Sequence, residues 1–411
     1  MKKTKATIIL FLLFYYGFAN IINIHPESIS NNIQKYIDKA SYGDTIVIHP
    51  GIYTSVSLVL QKSLHLIGIN KPILDGDFKN ELLRINADNV TIEGFIFRNS
   101  GKSGMNEIAG IRCIDANKII IINNEIINCH FGIHISNSST LTIQNNIIKG
   151  TPFEEQNTGN GIHLWKCNYA NIFTNNISGH RDGIYFEFVT NSTIQDNIST
   201  FNIRYGLHFM FSHSNLYLCN EFIQNGAGVA VMYSKNVRME ENTFIKNWGA
   251  SSYGILLKDI SDSWIYNNKF LYNTIGIHFE GTSRIEVVRN EFQNNGWAIK
   301  VLASCMDNRF EHNNFISNSF DVATNGSLSL NTFSHNYWDK YEGYDLNHDG
   351  LGDVPFYPVN LYSMIVEQNP NTIILLRSTL IGFLDKAEKA IPSLTPENLK
   401  DSSPFLKLNS L

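Results

Sequence analysis

The sequence predicts an all-β chain, a right-handed parallel β-helix built as a solenoid of coils of about 22 residues, capped by an N-terminal helix and followed by a C-terminal helical tail. Two in-phase residue series and the pattern of apolar residues lead to this reading. A glycine followed by an alternating apolar strand recurs at Gly132, Gly161, Gly183, Gly206, Gly228, Gly254 and Gly276, in steps of 29, 22, 23, 22, 26 and 22 residues. An asparagine just ahead of an apolar residue recurs in phase at Asn124, Asn146, Asn176, Asn197, Asn220, Asn242, Asn268 and Asn290, in steps of 22, 30, 21, 23, 22, 26 and 22. The two series lengthen in the same places, so the long steps are insertions within one repeat. No helical apolar spacing occurs inside a repeat. Short runs such as Ile119–Ile122 and Leu141–Ile143 read instead as strands joined by tight turns. Ten or so coils stacked at the strand spacing give a rod of roughly 45–50 Å, wound in the right-handed sense preferred by parallel crossovers. In this reading glycine supplies a corner with φ > 0. Asparagine tolerates the left-handed region and stacks its amides into a ladder.

The elements follow in order. Lys2, Lys3 and Lys5 precede an apolar run, Ala6–Phe18, and small residues at Gly17 and Ala19. That is the pattern of a signal peptide over residues 1–19, cleaved after Ala19; the run is short for a membrane span. Residues 20–45 are expected to form the N-terminal cap, with Ile29, Ile33, Ile37 and Ala40 on one helical face. The first strand starts at Gly43-Asp44-Thr45-Ile46, and the repeats run over 46–336. An acidic turn and cap follow over 337–360. Residues 361–411 form an amphipathic docking segment, with a helix over Ile373–Ala390 and a short turn at Thr395-Pro396-Glu397. Arg377, Asp385, Lys386, Glu388 and Lys389 exclude a transmembrane reading of that helix.

Removing the three leader lysines takes the formal net charge from −5 to −8, which disfavours a nucleic-acid partner. The five cysteines, Cys113, Cys129, Cys167, Cys219 and Cys305, are odd in number and hold no Cys-x-x-Cys pair, so neither a disulfide framework nor a thiolate clip is indicated. Cys113 falls at an inward position as a small hydrophobe.

In each glycine-led strand the residues one and three after glycine are apolar and face inward, so those two and four after it face outward. The outward residues His163, Trp165, Tyr185, Glu187, His208, Met210 and Met232 then form one surface patch across four coils, flanked by the insertions Thr151–Gly159 and Trp248–Ser251. Two chemistries suit such a face. Secreted β-helices act on acidic polysaccharides with paired carboxylates or a Tyr/His/Asp set; here Glu187 is the outward carboxylate, with Asp182 just ahead of Gly183. Imidazole and thioether together suit Cu(I), which selects His163, His208, Met210 and Met232 as candidate copper ligands. Asp345-x-Asn347-x-Asp349-Gly350-x-Gly352-Asp353 matches the first nine positions of a calcium loop, although Phe356 stands where the bidentate glutamate belongs. The missing glutamate implies weaker affinity or completion of the site from elsewhere; Asp345, Asn347, Asp349 and Asp353 are the expected ligands of a structural calcium.

The segment Asn336-Tyr337-Trp338-Asp339 through Asp349-Gly350-Leu351-Gly352-Asp353-Val354-Pro355, continued by Leu361-Tyr362-Ser363 and Leu376-Arg377-Ser378, together with Gly43-Asp44-Thr45 and Pro50-Gly51-Ile52-Tyr53, resembles the NosD family across essentially the whole chain. The resemblance implies a periplasmic, non-enzymatic accessory protein for the maturation of nitrous-oxide reductase. It implies work beside the permease and ATPase of an ABC transporter, membrane association only through that partner, exchange with a copper chaperone, and transient copper supplied to the reductase's copper–sulfide centre. A metal-free scaffold binding reductase and transporter stays open, as does an enzyme on acidic polysaccharide.

Overall fold

Three parallel sheets run the length of the chain in this computed structural model, which describes residues 19–26, 33–103, 106–152, 154–326, 330–391 and 399–409. The sheets hold 14, 12 and 13 strands, and every strand pairs with its copy one coil away, as Ile133 with Ile162 and Ile162 with Ile184. The solenoid has about 13 turns, more than the ten or so read from the sequence. The extra coils lack the glycine marker: Ala298 pairs in the glycine column after Gly276, and Asp321 lies in the strand beyond it. The first strand is Ile21–Ile24, paired to Thr45–Ile48, so the rod begins upstream of the expected start. Helix α1 (Ile33–Lys39) closes that end by burying Ile33 and Ile37, beside buried Ala40. Ile29 and the signal-peptide residues before Ala19 lie outside the described residues.

The recurring residues work differently from expectation. None of the column glycines has a positive φ. A Cβ on Gly161 would lie 2.5 Å from the Gly183 carbonyl oxygen, and one on Gly206 would lie 2.7 Å from that of Gly228. The glycine is there because neighbouring coils approach too closely for a side chain. The left-handed residue of each turn is the one before the ladder asparagine: Asn123, Asn145, Thr174, Asp196, Cys219, Glu241, Asn267 and Arg289. The ladder itself is as expected except that Asn175, not Asn176, is its rung, so its steps there are 29 and 22, matching the glycine series. From Asn124 to Asn336 each backbone N–H and each Nδ2 donates to the Oδ1 of the next asparagine at 2.9–3.2 Å. These buried amides satisfy one another where water is excluded. Inside the rod Phe222, Phe244, Phe270, Phe292, Phe315 and Trp338 stack with centroids 4.0–5.3 Å apart.

After the last coil the chain forms α2 (Leu361–Gln368), a 3-10 turn over Pro370–Leu375, and α3 (Thr379–Ala390). The single expected helix over 373–390 is thus broken. Leu376 leaves the helical region with ψ 129°, Arg377 has φ 70°, and Ser378 caps α3 by accepting from the Ile381 N–H. Tyr362, Val366 and Ile381 pack with Phe320 in a small apolar cluster at the end of the 12-stranded sheet. The turn expected at Thr395-Pro396-Glu397 lies outside the described residues.

Candidate metal-binding face

The 12-stranded sheet carries the outward columns, and the inward/outward phase is as the alternation requires. Ile133, Ile135, Ile162, Leu164, Leu207 and Phe209 are in the core, while His134, His163, Tyr185 and His208 stand opposite them in register. Their rings form a ladder, with centroids 4.7, 4.7 and 4.9 Å apart. The column is not a solvated patch. His134, His163 and His208 are 2, 7 and 3% exposed, because the rings cover one another and are roofed by Phe131 and Tyr205. Outward-facing and exposed are separate properties here, and only the first is set by strand alternation.

The four candidate copper ligands divide into two places. His208 and Met210 share the strand Tyr205–Met210, and Met210 is the register partner of Met232 on Ala227–Met232. Both methionines are partly exposed. Tyr185 separates His163 from His208; its hydroxyl lies 3.2 Å from Glu187 Oε2 and 3.6 Å from Met210 Sδ. Burial, then the Glu187 carboxylate, push that phenol's pKa upward. His208 Nδ1 faces the fully buried Asp182 at 3.4 Å, and its Nε2 has no hydrogen-bond partner.

His163 belongs instead with His134 and Glu107. One ligand atom from each of the three lies within 4.8 Å of the other two, the only such gathering of His, Cys, Asp and Glu among the described residues. Glu107 comes from an insertion that the repeat pattern did not flag. Ile111 pairs with Leu83, 28 residues earlier, where the next coil step is 22. That long step was the available signal. Glu107 Oε2 lies 3.1 Å from His134 Nε2, off the axis of a hydrogen bond. The His134 imidazole beside it holds the Glu107 carboxyl down to about 2, against the upward push of burial. Burial pushes the His163 imidazole down to about 3, so it is neutral, the form that ligates metals. The insertion flanking Gly159 does wall a groove: a cleft of about 400 Å³ opens beside the site, lined by Lys102, Glu107, His130, Phe131, Thr158 and Arg181.

The acidic loop folds on itself. Asp345 accepts from the N–H groups of Asp349 (3.2 Å) and Gly350 (2.9 Å), and Asp353 from that of Leu346 (2.6 Å), with Gly350 at φ 88°. All five cysteines are free thiols. Burial pushes Cys129 up to about 12 and Cys167 to about 11, which keeps them from acting as thiolates.

A parallel β-helix with a buried imidazole column on one outer face is the class of protein defined by these features. Two solved structures share the fold. They are the catalytic domain of a GH87 alpha-1,3-glucanase in complex with nigerose (TM-score 0.59, 14% identity, 78% of this chain and 69% of that one) and the Dettilon tailspike protein (TM-score 0.59, 14% identity, 75% and 70%). At that identity the likeness is one of fold alone. Residues 144–343 match the family described as "Periplasmic copper-binding protein (NosD)". Proteins named "Probable ABC transporter binding protein NosD" from Pseudomonas aeruginosa and Stutzerimonas stutzeri are 27% and 26% identical, over 86% and 82% of this chain and 86% and 81% of theirs. Over residues 144–343, and at 26–27% identity over more than four fifths of its length, the chain is similar to the NosD family.

Proposed function

We propose that this chain is a periplasmic accessory protein in the maturation of nitrous-oxide reductase, exported by a leader cleaved after Ala19. It works with the permease and ATPase of an ABC transporter and hands on copper, received from a copper chaperone, as cargo for the copper–sulfide centre. The observation that carries the reading is the placement of Met210 beside Met232 on one outer face, with His208 two residues along the same strand, in a chain similar to a family described as copper-binding. Two thioethers and an imidazole suit Cu(I), and the partial exposure of both methionines leaves a path for transfer. His163, separated by Tyr185, is not part of this set. The exposed apolar side of α3, with Leu380 at 54% and Phe383 at 71% exposure, serves as the docking surface for the permease.

The test is a Cu(I) competition titration of the exported chain, with copper analysis of reductase matured beside it. Met210→Ala/Met232→Ala should bind Cu(I) at least about tenfold more weakly and yield copper-poor reductase. Unchanged Cu(I) binding and full copper loading would overturn the assignment in favour of a metal-free scaffold. A second reading, an enzyme acting on acidic polysaccharide, draws on the His208–Asp182 pair beside Tyr205; turnover of a polyuronate by the purified chain would establish it.

A further inference from the structure

We infer that Glu107, His134 and His163 form a site for a divalent cation of borderline softness, zinc(II) or copper(II), distinct from the thioether face at Met210 and Met232. The donor set is two imidazoles and a carboxylate, the combination such cations take with an open position left for a fourth ligand. His134 and His163 are register partners on adjacent strands, so the rod itself sets their spacing. Their ring centroids are 4.7 Å apart. Tetrahedral ligands stand about 3.3 Å from one another at zinc–nitrogen bond lengths; Glu107 Oε2 and His134 Nε2 are at 3.1 Å already, and all three ligand atoms lie within 4.8 Å of one another.

The independent sign of a missing ligand is the state of the imidazoles. His163 Nε2 and His134 Nδ1 are buried with no hydrogen-bond partner, His134 Nε2 has only the Glu107 carboxylate beside it, and the two residues are 7 and 2% exposed. Leaving buried polar nitrogens unsatisfied costs about 1–3 kcal/mol each, a cost that a bound cation would remove. Asn160, fully buried, reaches His163 Nδ1 at 3.5 Å, which orients the ring from its far side. Phe131 packs against both rings and keeps the site dry on that flank. Glu107 alone is exposed, at the cleft, and supplies the route in. Arg112 lies 3.8 Å from Glu107 Oε2 but also 3.6 Å from Glu81 Oε2, so it keeps a carboxylate partner when a cation takes Glu107.

This site does not depend on the copper-delivery reading, and its test keeps the two apart. Zinc(II) titration calorimetry is run on the purified metal-stripped chain, with copper(II) electron paramagnetic resonance in parallel. The proteins compared are wild type, Glu107→Gln, His163→Asn and Met210→Ala/Met232→Ala, each checked for fold by circular dichroism. Wild type should bind one equivalent of zinc(II), and its copper(II) spectrum should show coupling to two nitrogens. Glu107→Gln, a change at an exposed residue, should weaken zinc(II) at least about tenfold; His163→Asn should leave coupling to one nitrogen. The methionine double variant should keep zinc(II) and lose Cu(I). The inference is overturned if wild type binds no zinc(II), or if folded Glu107→Gln and His163→Asn bind it as wild type does. Retention of Cu(I) by the methionine variant would instead count against the delivery face alone.

Discussion

Asp401 Oδ2 accepts both the backbone N–H and the Nδ2 of Asn336, each at 3.0 Å, and so occupies the place of the next asparagine in the ladder. The same oxygen takes the indole N–H of Trp338 at 3.1 Å, and Asp401 is fully buried. Residues Phe333 and Phe356 bridge to it on either side. The tail around Asp401 is therefore part of the cap, and removing residues 395–411 would uncover the end of the ladder as well as any docking surface. Asp401→Ala leaves three buried donors unmatched and should destabilise the last coil by about 3 kcal/mol, whereas Asp401→Asn keeps an acceptor oxygen and should cost less. Because solenoid coils are stabilised by their neighbours, the check is amide exchange: protection should fall in residues 330–340 and persist in residues 160–230.

Glycine-column substitutions should be costly wherever coils touch. A Cβ on Gly206 would lie 2.7 Å from the Gly228 oxygen and 2.8 Å from Phe222 Cδ1, so Gly206→Ala should lose about 3 kcal/mol. Gly382 on α3 has nothing within 4 Å of its Cβ position, and Gly382→Ala should be neutral or gain up to about 1 kcal/mol of helix propensity. Urea unfolding of the two variants distinguishes close approach from a general intolerance of alanine.

Stability should fall in mild acid through His180. Burial pushes its imidazole down to about 4, while the unfolded chain titrates near 6.5. As pH falls below about 6.5 the unfolded state takes up a proton that the folded state refuses. The contribution is whole above that pH and lost as pH approaches 4, at roughly 1.4 kcal/mol per unit, or about 2 kcal/mol by pH 5. Urea midpoints at pH 7, 6 and 5 should show this slope, reduced in His180→Gln.

Docking through α3 predicts that Phe383→Asp, at an exposed position, leaves the melting temperature unchanged and abolishes copurification with the transporter. Full-yield copurification of that variant would leave the helix as a cap only.

Calcium binding at the acidic loop predicts that millimolar calcium raises the melting temperature of the full chain. Asp345, which accepts from both Asp349 and Gly350, is the residue to change: Asp345→Ala should remove the calcium response. A wild-type melting temperature indifferent to calcium rules the site out.

Much of the candidate face was legible before the structure. The partner of His134 in the next coil had to be His163, and that of Met210 had to be Met232, because a coil neighbour lies one period along the chain. What escaped was every group placed by something outside the period. Glu107 sits in an insertion, where no spacing rule says which coil it crosses. Phe131 and Tyr205 roof the imidazoles from positions just before the column, so the expected open patch is a buried stack.

The sequence by itself determined the coil length, the inward and outward faces and the asparagine ladder, since each is local or strictly periodic. Only the tertiary structure decided why glycine recurs, which is coil-to-coil contact and not φ. It also decided how deeply the histidines are buried, and that Asp401, 65 residues beyond Asn336, ends the ladder. These depend on surfaces brought together by chain closure, whose partners carry no fixed separation in sequence.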